Sequence, residues 1–181
     1  TDLQIIPFRG DYRIVKVPVH SMVYPVPDLR FPFLGVHLTK SLDGAVLAGP
    51  SATLSWKGRE SYNGEINWRE TFDIFGSKNF WKMTLGKEFL GLAFHNAKLA
   101  FSDSAFLKEI NSLLEYPITM NEIRPYKSGI RAQMVDENGK MVNDFVVERG
   151  QNSTHVLNAV SPGMTCSLAF AEYVVEEYLI K

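Results

Sequence analysis

Cysteine is nearly absent from this sequence. Cys166 stands alone, so no intrachain disulfide can form, and a reducing, cytoplasmic compartment is the expectation. No apolar run reaches the roughly 18–20 residues of a membrane span, and the first residues lack the charged-then-apolar pattern of a signal peptide. An excess of one charge is missing too. Nineteen Lys and Arg stand against 20 Asp and Glu, which leaves no case for nucleic-acid steering or a polybasic membrane anchor. No two of the 13 glycines are spaced Gly-x-Gly, so the Rossmann phosphate fingerprint is absent. Gly44 and Gly49 have P-loop spacing, but Pro50-Ser51 follows where Lys-Ser would be needed. The histidines (His20, His37, His95 and His155) show no metal-ligand spacing, and no metal is expected. Asp136-Glu-Asn-Gly139 starts like a calcium loop. Its glycine comes too early and no glutamate closes the loop, so a hairpin turn is the better reading.

Apolar residues make up 45% of the chain, enough to bury a substantial core in one domain or two small ones. Residues 3–50 read as β structure. Leu3–Pro7 is strand-like, Arg13–Val19 alternates, Leu34–Thr39 is a further candidate, and Leu42–Ala48 carries a hairpin signal at Asp43-Gly44. Prolines 25, 27 and 32 make the Tyr24–Phe33 connection extended. From Trp68 to Glu115 the pattern is helical, with breaks near Gly76 and Gly86 and an N-cap at Ser102-Asp103 before Phe106 and Ile110. Strand character returns at Gly129–Val135. A type I′ turn is expected at Asn138-Gly139, with Asp144–Glu148 as the partner strand. His155–Ala159 reads as a buried strand and Gly163–Ile180 as the last helix. The fold class is therefore α+β. The chain begins at Thr1, directly in a strand-like run, and reads as the second part of a longer protein.

Few residues invite chemistry on their own. Arg131 stands mid-strand between Ile130 and Ala132, where a charge must meet solvent, an acid or a ligand. Its planar fork suits a carboxylate, and a structural salt bridge explains it equally well. His37 lies on an apolar strand, either hydrogen-bonded to backbone or used in a site. For His155 the structural reading is favoured. Cys166 reads as a packed small side chain. Arg9-Gly-Asp11 and Asn152-Ser-Thr154 spell an adhesion tripeptide and a glycosylation sequon, but nothing secretory accompanies them. The strand at His155, the small-residue loop after it and the helix that follows form a natural anion or cofactor cradle.

Several segments together resemble one family. Pro7-Phe-Arg-Gly-Asp-Tyr12, Tyr24-Pro-Val-Pro-Asp28, Phe31–Thr39, Asp43-Gly44, Gly49-Pro50, Gly129-Ile-Arg-Ala-Gln133, Asp144-Phe145 and His155–Thr165 are similar to the L-2-hydroxyglutarate oxidase/dehydrogenase family. These are FAD enzymes of the D-amino-acid-oxidase-like superfamily. The resemblance covers the second part of such an enzyme. Here Tyr12 is followed by Arg13 where the family usually has a second tyrosine, and Ala159-Val-Ser-Pro-Gly-Met-Thr165 replaces Ala-Pro-Ser-Pro-Ala-Ala-Thr.

The resemblance implies a substrate domain over 1–126, with a sheet at 3–50 and a helical insertion at 67–116. Residues 127–181 would return to an FAD-binding domain whose N-terminal part lies elsewhere. It implies hydride transfer from L-2-hydroxyglutarate to flavin N5, with Arg131 and Tyr12 on the substrate, Arg9 or Lys127 as further candidates, and His37 as base. Ser161, Pro162, Gly163, Met164 and Thr165 would lie at the flavin edge. FAD would be the cofactor, a small 2-hydroxy acid and the missing N-terminal FAD domain the partners, and self-association through exposed apolar surface a consequence. The 181 residues alone would be inactive. The alternatives are an FAD enzyme for another 2-hydroxy or 2-amino acid, and a non-enzymatic domain that binds a carboxylate or a protein.

Overall fold

A computed structural model describes residues 2–26, 35–58 and 65–180. Most of the proline-rich connection, and Leu34 at the start of the expected second strand, lie outside the described residues. The chain divides into two compact units, 1–141 and 142–181.

The first unit is built on one long strand, β1 (Gln4–Val15). One edge of β1 pairs along nearly its whole length with β5 (Ile123–Val135), antiparallel. Its other edge carries β3 (Val46–Gly49) at the C-terminal end and the short β4 (Thr53–Leu54) nearer the N-terminal end. Outside β3 lies β2 (His37–Lys40). All pairings are antiparallel, and mixed with the helices they give the expected class. The expected boundary at 126/127 falls inside β5.

Among the described residues four α-helices lie between β4 and β5. They are α1 (Trp68–Phe75), α2 (Lys78–Thr84), α3 (Lys87–Phe101) and α4 (Asp103–Asn111). Asn67, Ser77 and Ser102 cap α1, α2 and α4 by accepting hydrogen bonds from N–H groups of the first turn. Gly76 and Gly86 mark helix boundaries.

Alternation along β1 sends its two sets of side chains to opposite faces. Ile6 and Phe8 pack against Ile74, Phe80 and Met83 of α1 and α2. Val15 packs on the other face against Phe106 and Ile110 of α4, with Leu38 and Ala48. Arg13 shares that second face. It binds Asp103 at 2.8 Å, and its guanidinium lies 3.9 Å over the Phe106 ring. The helices thus cover opposite faces at opposite ends of β1.

The second unit holds β6 (Val146–Arg149), β7 (Thr154–Asn158), α5 (Ser167–Val174) and a π-helical turn, Val175–Ile180. Among its described residues only Asn158 is buried. It donates to the carbonyls of Val142 and Asp144 at 3.4 and 2.7 Å. Phe145 stacks on Phe170 at 4.1 Å. Leu168, Leu179 and Ile180 stand exposed. Among the described residues no helix is long and apolar enough to cross a membrane.

Several expectations change. The alternating run at Arg13 is the end of β1, which stops at Val15 before Pro18. Asn138 does not take the positive φ of a type I′ turn; Gly139 alone does, at 81°. Asp136 and Lys140 close the loop through a 2.9 Å main-chain bond, so three residues turn the chain and only the last must be glycine. Asp144–Glu148 is not the partner of Gly129–Val135: β5 pairs with β1, and β6 pairs with β7. The last helix starts at Ser167, because residues 161–166 close successive turns instead. His155 is exposed and lies 2.8 Å from the Ser153 hydroxyl.

Candidate functional site

Register gathers three of the proposed site residues on one face. Phe8 pairs directly with Arg131, and directly opposed residues of an antiparallel ladder point the same way. Two and four residues on, Gly10 and Tyr12 continue that face of β1. Gly10 pairs with Gly129. The irregularity between Asp11 and Arg13 leaves Tyr12 opposite two residues of β5, Tyr126 and Lys127, so the extra residue sits on β5 and the alternation of β1 is undisturbed. Arg13 pairs with Ala48, which brings Tyr12 beside Gly49, and Gly49 pairs with His37. His37 thus shares the face of Tyr12, while its neighbour Leu38 points into the core.

Two glycines shape this row. Gly49 has φ 147°, and a Cβ there would lie 2.9 Å from Cδ1 of Tyr12. A side chain is excluded by conformation and by space. Gly129 is the reverse, since a Cβ there would meet nothing within 4 Å. Between Arg131 and Tyr12 the face is therefore open above Gly129, while Pro50 lies over its partner Gly10, where a Cβ would come within 2.6 Å of the proline ring.

The electrostatics of the row suit an anion. Burial pulls the Arg131 guanidinium below its usual range, a cost that an anionic partner offsets. Burial, with the nearby Tyr24, pushes the Tyr12 phenol up, so Tyr12 remains a hydrogen-bond donor at neutral pH. His37 Nδ1 lies 3.0 Å from the Gly35 carbonyl, and Tyr24 stacks on its ring at 4.8 Å. Tyr24 opens the Tyr24-Pro-Val-Pro-Asp28 segment, which by itself assigns it no role. Only the pairing of Val23 with Leu38 places it across from His37.

Arg9 is on the opposite face, donating to Asp11 at 2.9 Å and to Ser128 at 2.8 Å. Burial raises the Asp11 carboxyl, but hydrogen bonds from Ser128 and Arg9, with the charges of Arg9 and Arg13, outweigh it, and the net shift is downward. Lys127 lies 5.8 Å over the Tyr126 ring. A cleft of about 600 Å³ opens elsewhere, at the β4 edge, between Phe8, Leu54 and Trp56 and the α3 residues Phe89, Ala93 and Ala97. Arg131, Tyr12 and His37 do not line it.

Ser161–Thr165 belong to the second unit. The Gly163 and Cys166 N–H groups donate to the carbonyls of Val160 and Pro162. A Cβ on Gly163 would lie 2.9 Å from the Val160 carbonyl oxygen, so the turn is closed on its own backbone. Cys166 is the N-cap of α5 and is half-buried.

No family model matches the chain. Curated proteins do. An L-2-hydroxyglutarate dehydrogenase of Indibacter alkaliphilus is 36% identical over 97% of this chain and 44% of its own length. The mouse mitochondrial L-2-hydroxyglutarate dehydrogenase is 38% identical over 97% of this chain and 39% of its own length. That of Escherichia coli K12 is 32% identical over 96% of the chain and 41% of its length. The chain thus spans about two fifths of the relatives it matches. With that identity sustained along nearly all 181 residues, the chain belongs to the L-2-hydroxyglutarate dehydrogenase family.

Proposed function

We propose that this chain carries the substrate side of an FAD-dependent oxidoreductase that converts L-2-hydroxyglutarate to 2-oxoglutarate. The observation that supports it most is the convergence of Arg131, Tyr12 and His37 on one sheet face around the open Gly129. The dehydrogenases similar to this chain point to the same substrate class, a small 2-hydroxy acid.

The roles follow from chemistry. Arg131 takes a substrate carboxylate through its planar fork, in a partly desolvated position where the pairing is worth more than in water. Tyr12, kept protonated, donates to a carboxylate oxygen. His37 receives the 2-hydroxyl proton as the C2–H hydrogen leaves with its electron pair, giving the C2 carbonyl. FAD, when bound, supplies the hydride acceptor at N5. The open backbone at Gly129 fits the approach of a flat ring.

These 181 residues contain no dinucleotide fingerprint, so the groups that hold the rest of FAD lie in other parts of the parent protein. The isolated chain is accordingly inactive. Its exposed apolar residues, Leu168, Leu179 and Ile180 among them, contact that remainder or, without it, drive self-association.

The test uses the full-length parent with FAD. Arg131→Ala weakens substrate binding by about 2–5 kcal/mol, the cost of truncating a buried bidentate contact. Unchanged kcat and KM in that variant would remove Arg131 from the site.

A further inference from the structure

The histidine of the open row is held more firmly than an exposed ring on an outer strand would be by itself. Val23 and Leu38 exchange two main-chain hydrogen bonds, 3.0 and 2.8 Å long. In an antiparallel bridge this sets Tyr24 directly across from His37. The two rings stack at 4.8 Å with 26° between their planes. The phenol end of Tyr24 is tied in turn, its hydroxyl donating to the Met22 sulfur at 3.2 Å.

The imidazole edge is also constrained. Nδ1 lies 3.0 Å from the carbonyl oxygen of Gly35. A carbonyl can only accept, so Nδ1 must carry the hydrogen for that bond to form. In the neutral ring Nε2 is then the bare nitrogen. Gly35 has φ 75°, a conformation that a side chain at this position would resist.

We propose that Tyr24 is a positioning residue. Its ring holds the His37 plane so that the Gly35 carbonyl keeps the hydrogen on Nδ1 and leaves Nε2 as the proton acceptor for the substrate hydroxyl. This deepens the proposed function and rests on His37 being the base. It also gives the extended segment before the prolines a task, since Val23 anchors it and Tyr24 acts through it. Without the stack, rotation about the Cβ–Cγ bond would exchange the ring edges. The neutral imidazole would then return to its ordinary mixture of tautomers, most molecules having the wrong nitrogen protonated.

The tautomer can be read without turnover. Long-range proton–nitrogen-15 correlation spectra of the full-length parent, labelled at histidine, distinguish a protonated Nδ1 from a protonated Nε2. The wild-type neutral His37 is expected to be mainly Nδ1-protonated. Tyr24→Phe keeps the stack and the wild-type pattern, and Tyr24→Ala shifts the ring toward Nε2 protonation. A wild-type ring protonated at Nε2, or a Tyr24→Ala ring unchanged in a variant that still folds, overturns the proposal. In the FAD-loaded parent, Tyr24→Ala should lower kcat on the order of tenfold to hundredfold, the scale of a misplaced catalytic group, with KM nearly unchanged. Tyr24→Phe should rescue it. Equal kcat in wild type and Tyr24→Ala overturns the positioning role. If His37→Gln keeps wild-type kcat while the tautomer pattern stands, the base assignment has failed and the ring geometry has not.

Discussion

One face of β1 has two ends with different fates. At the N-terminal end Ile6 and Phe8 are buried under Ile74, Phe80 and Met83. At the other end, on the same face, Tyr12 lies beside Gly49 and His37, outside the cluster formed with Ile74, Phe80 and Met83. Arg131, opposite Phe8, stands where the two regimes meet. The strand is regular throughout, so the difference comes from what packs on it. At the covered end large apolar side chains fill the face. Beyond them Gly10, Gly49 and Gly129 take such positions, flanked by a phenol, an imidazole and a guanidinium, before the half-buried Ile14 and Leu47 continue the face. Core and site here are two uses of one period-two pattern.

That contrast can be broken by substitution. The largest effect on stability is expected at the covered end, where Phe80→Ala should cost about 3–5 kcal/mol, measured by denaturant unfolding. A loss under about 1 kcal/mol would mean that α2 does not build the core there. At the open end His37→Gln should leave stability nearly unchanged and lower kcat of the FAD-loaded parent by about 10²–10⁴-fold. Equal losses of stability at both ends would erase the distinction. Gly49→Ala should do both, since it forces a Cβ into φ 147° against Tyr12. A stability loss of about 1–3 kcal/mol is expected from the strained backbone alone, and a wild-type melting curve would show that the turn relaxes freely.

The smallest effect belongs to Asp11, on the opposite face. Its folded pKa lies below 3.8, so its contribution is present above that value and fades as pH falls through the folded pKa. Asp11→Asn should therefore cost up to about 1 kcal/mol at neutral pH and nothing in strong acid. A pH-independent difference would assign the loss to shape instead of charge.

The local signals in the sequence were readable where chemistry is local. Ser102 caps α4 as its hydroxyl suggests, Asp43-Gly44 turns the chain, and Gly76 and Gly86 bound helices. Pairing was not readable. Asp144–Glu148 follows a tight turn after β5, yet the long alternating β1 offers β5 a longer partner from over a hundred residues away. For the site, Arg131, His37 and Tyr12 were each visible as residue types, but their shared face depends on the registers of three strand pairs. Tyr24 was visible only within a motif, because its position follows from one two-bond bridge. His155 looked buried by pattern and is exposed, since among the described residues β7 pairs only with β6 and its unit buries little.

The most direct measurement is the visible spectrum of the full-length parent, purified with added FAD and held without oxygen, as L-2-hydroxyglutarate is titrated in. The oxidised flavin band should bleach with wild-type protein, and Arg131→Ala should need far more substrate to bleach it. Protein that takes up no FAD, or a flavin band that L-2-hydroxyglutarate leaves unchanged, would contradict the central claim.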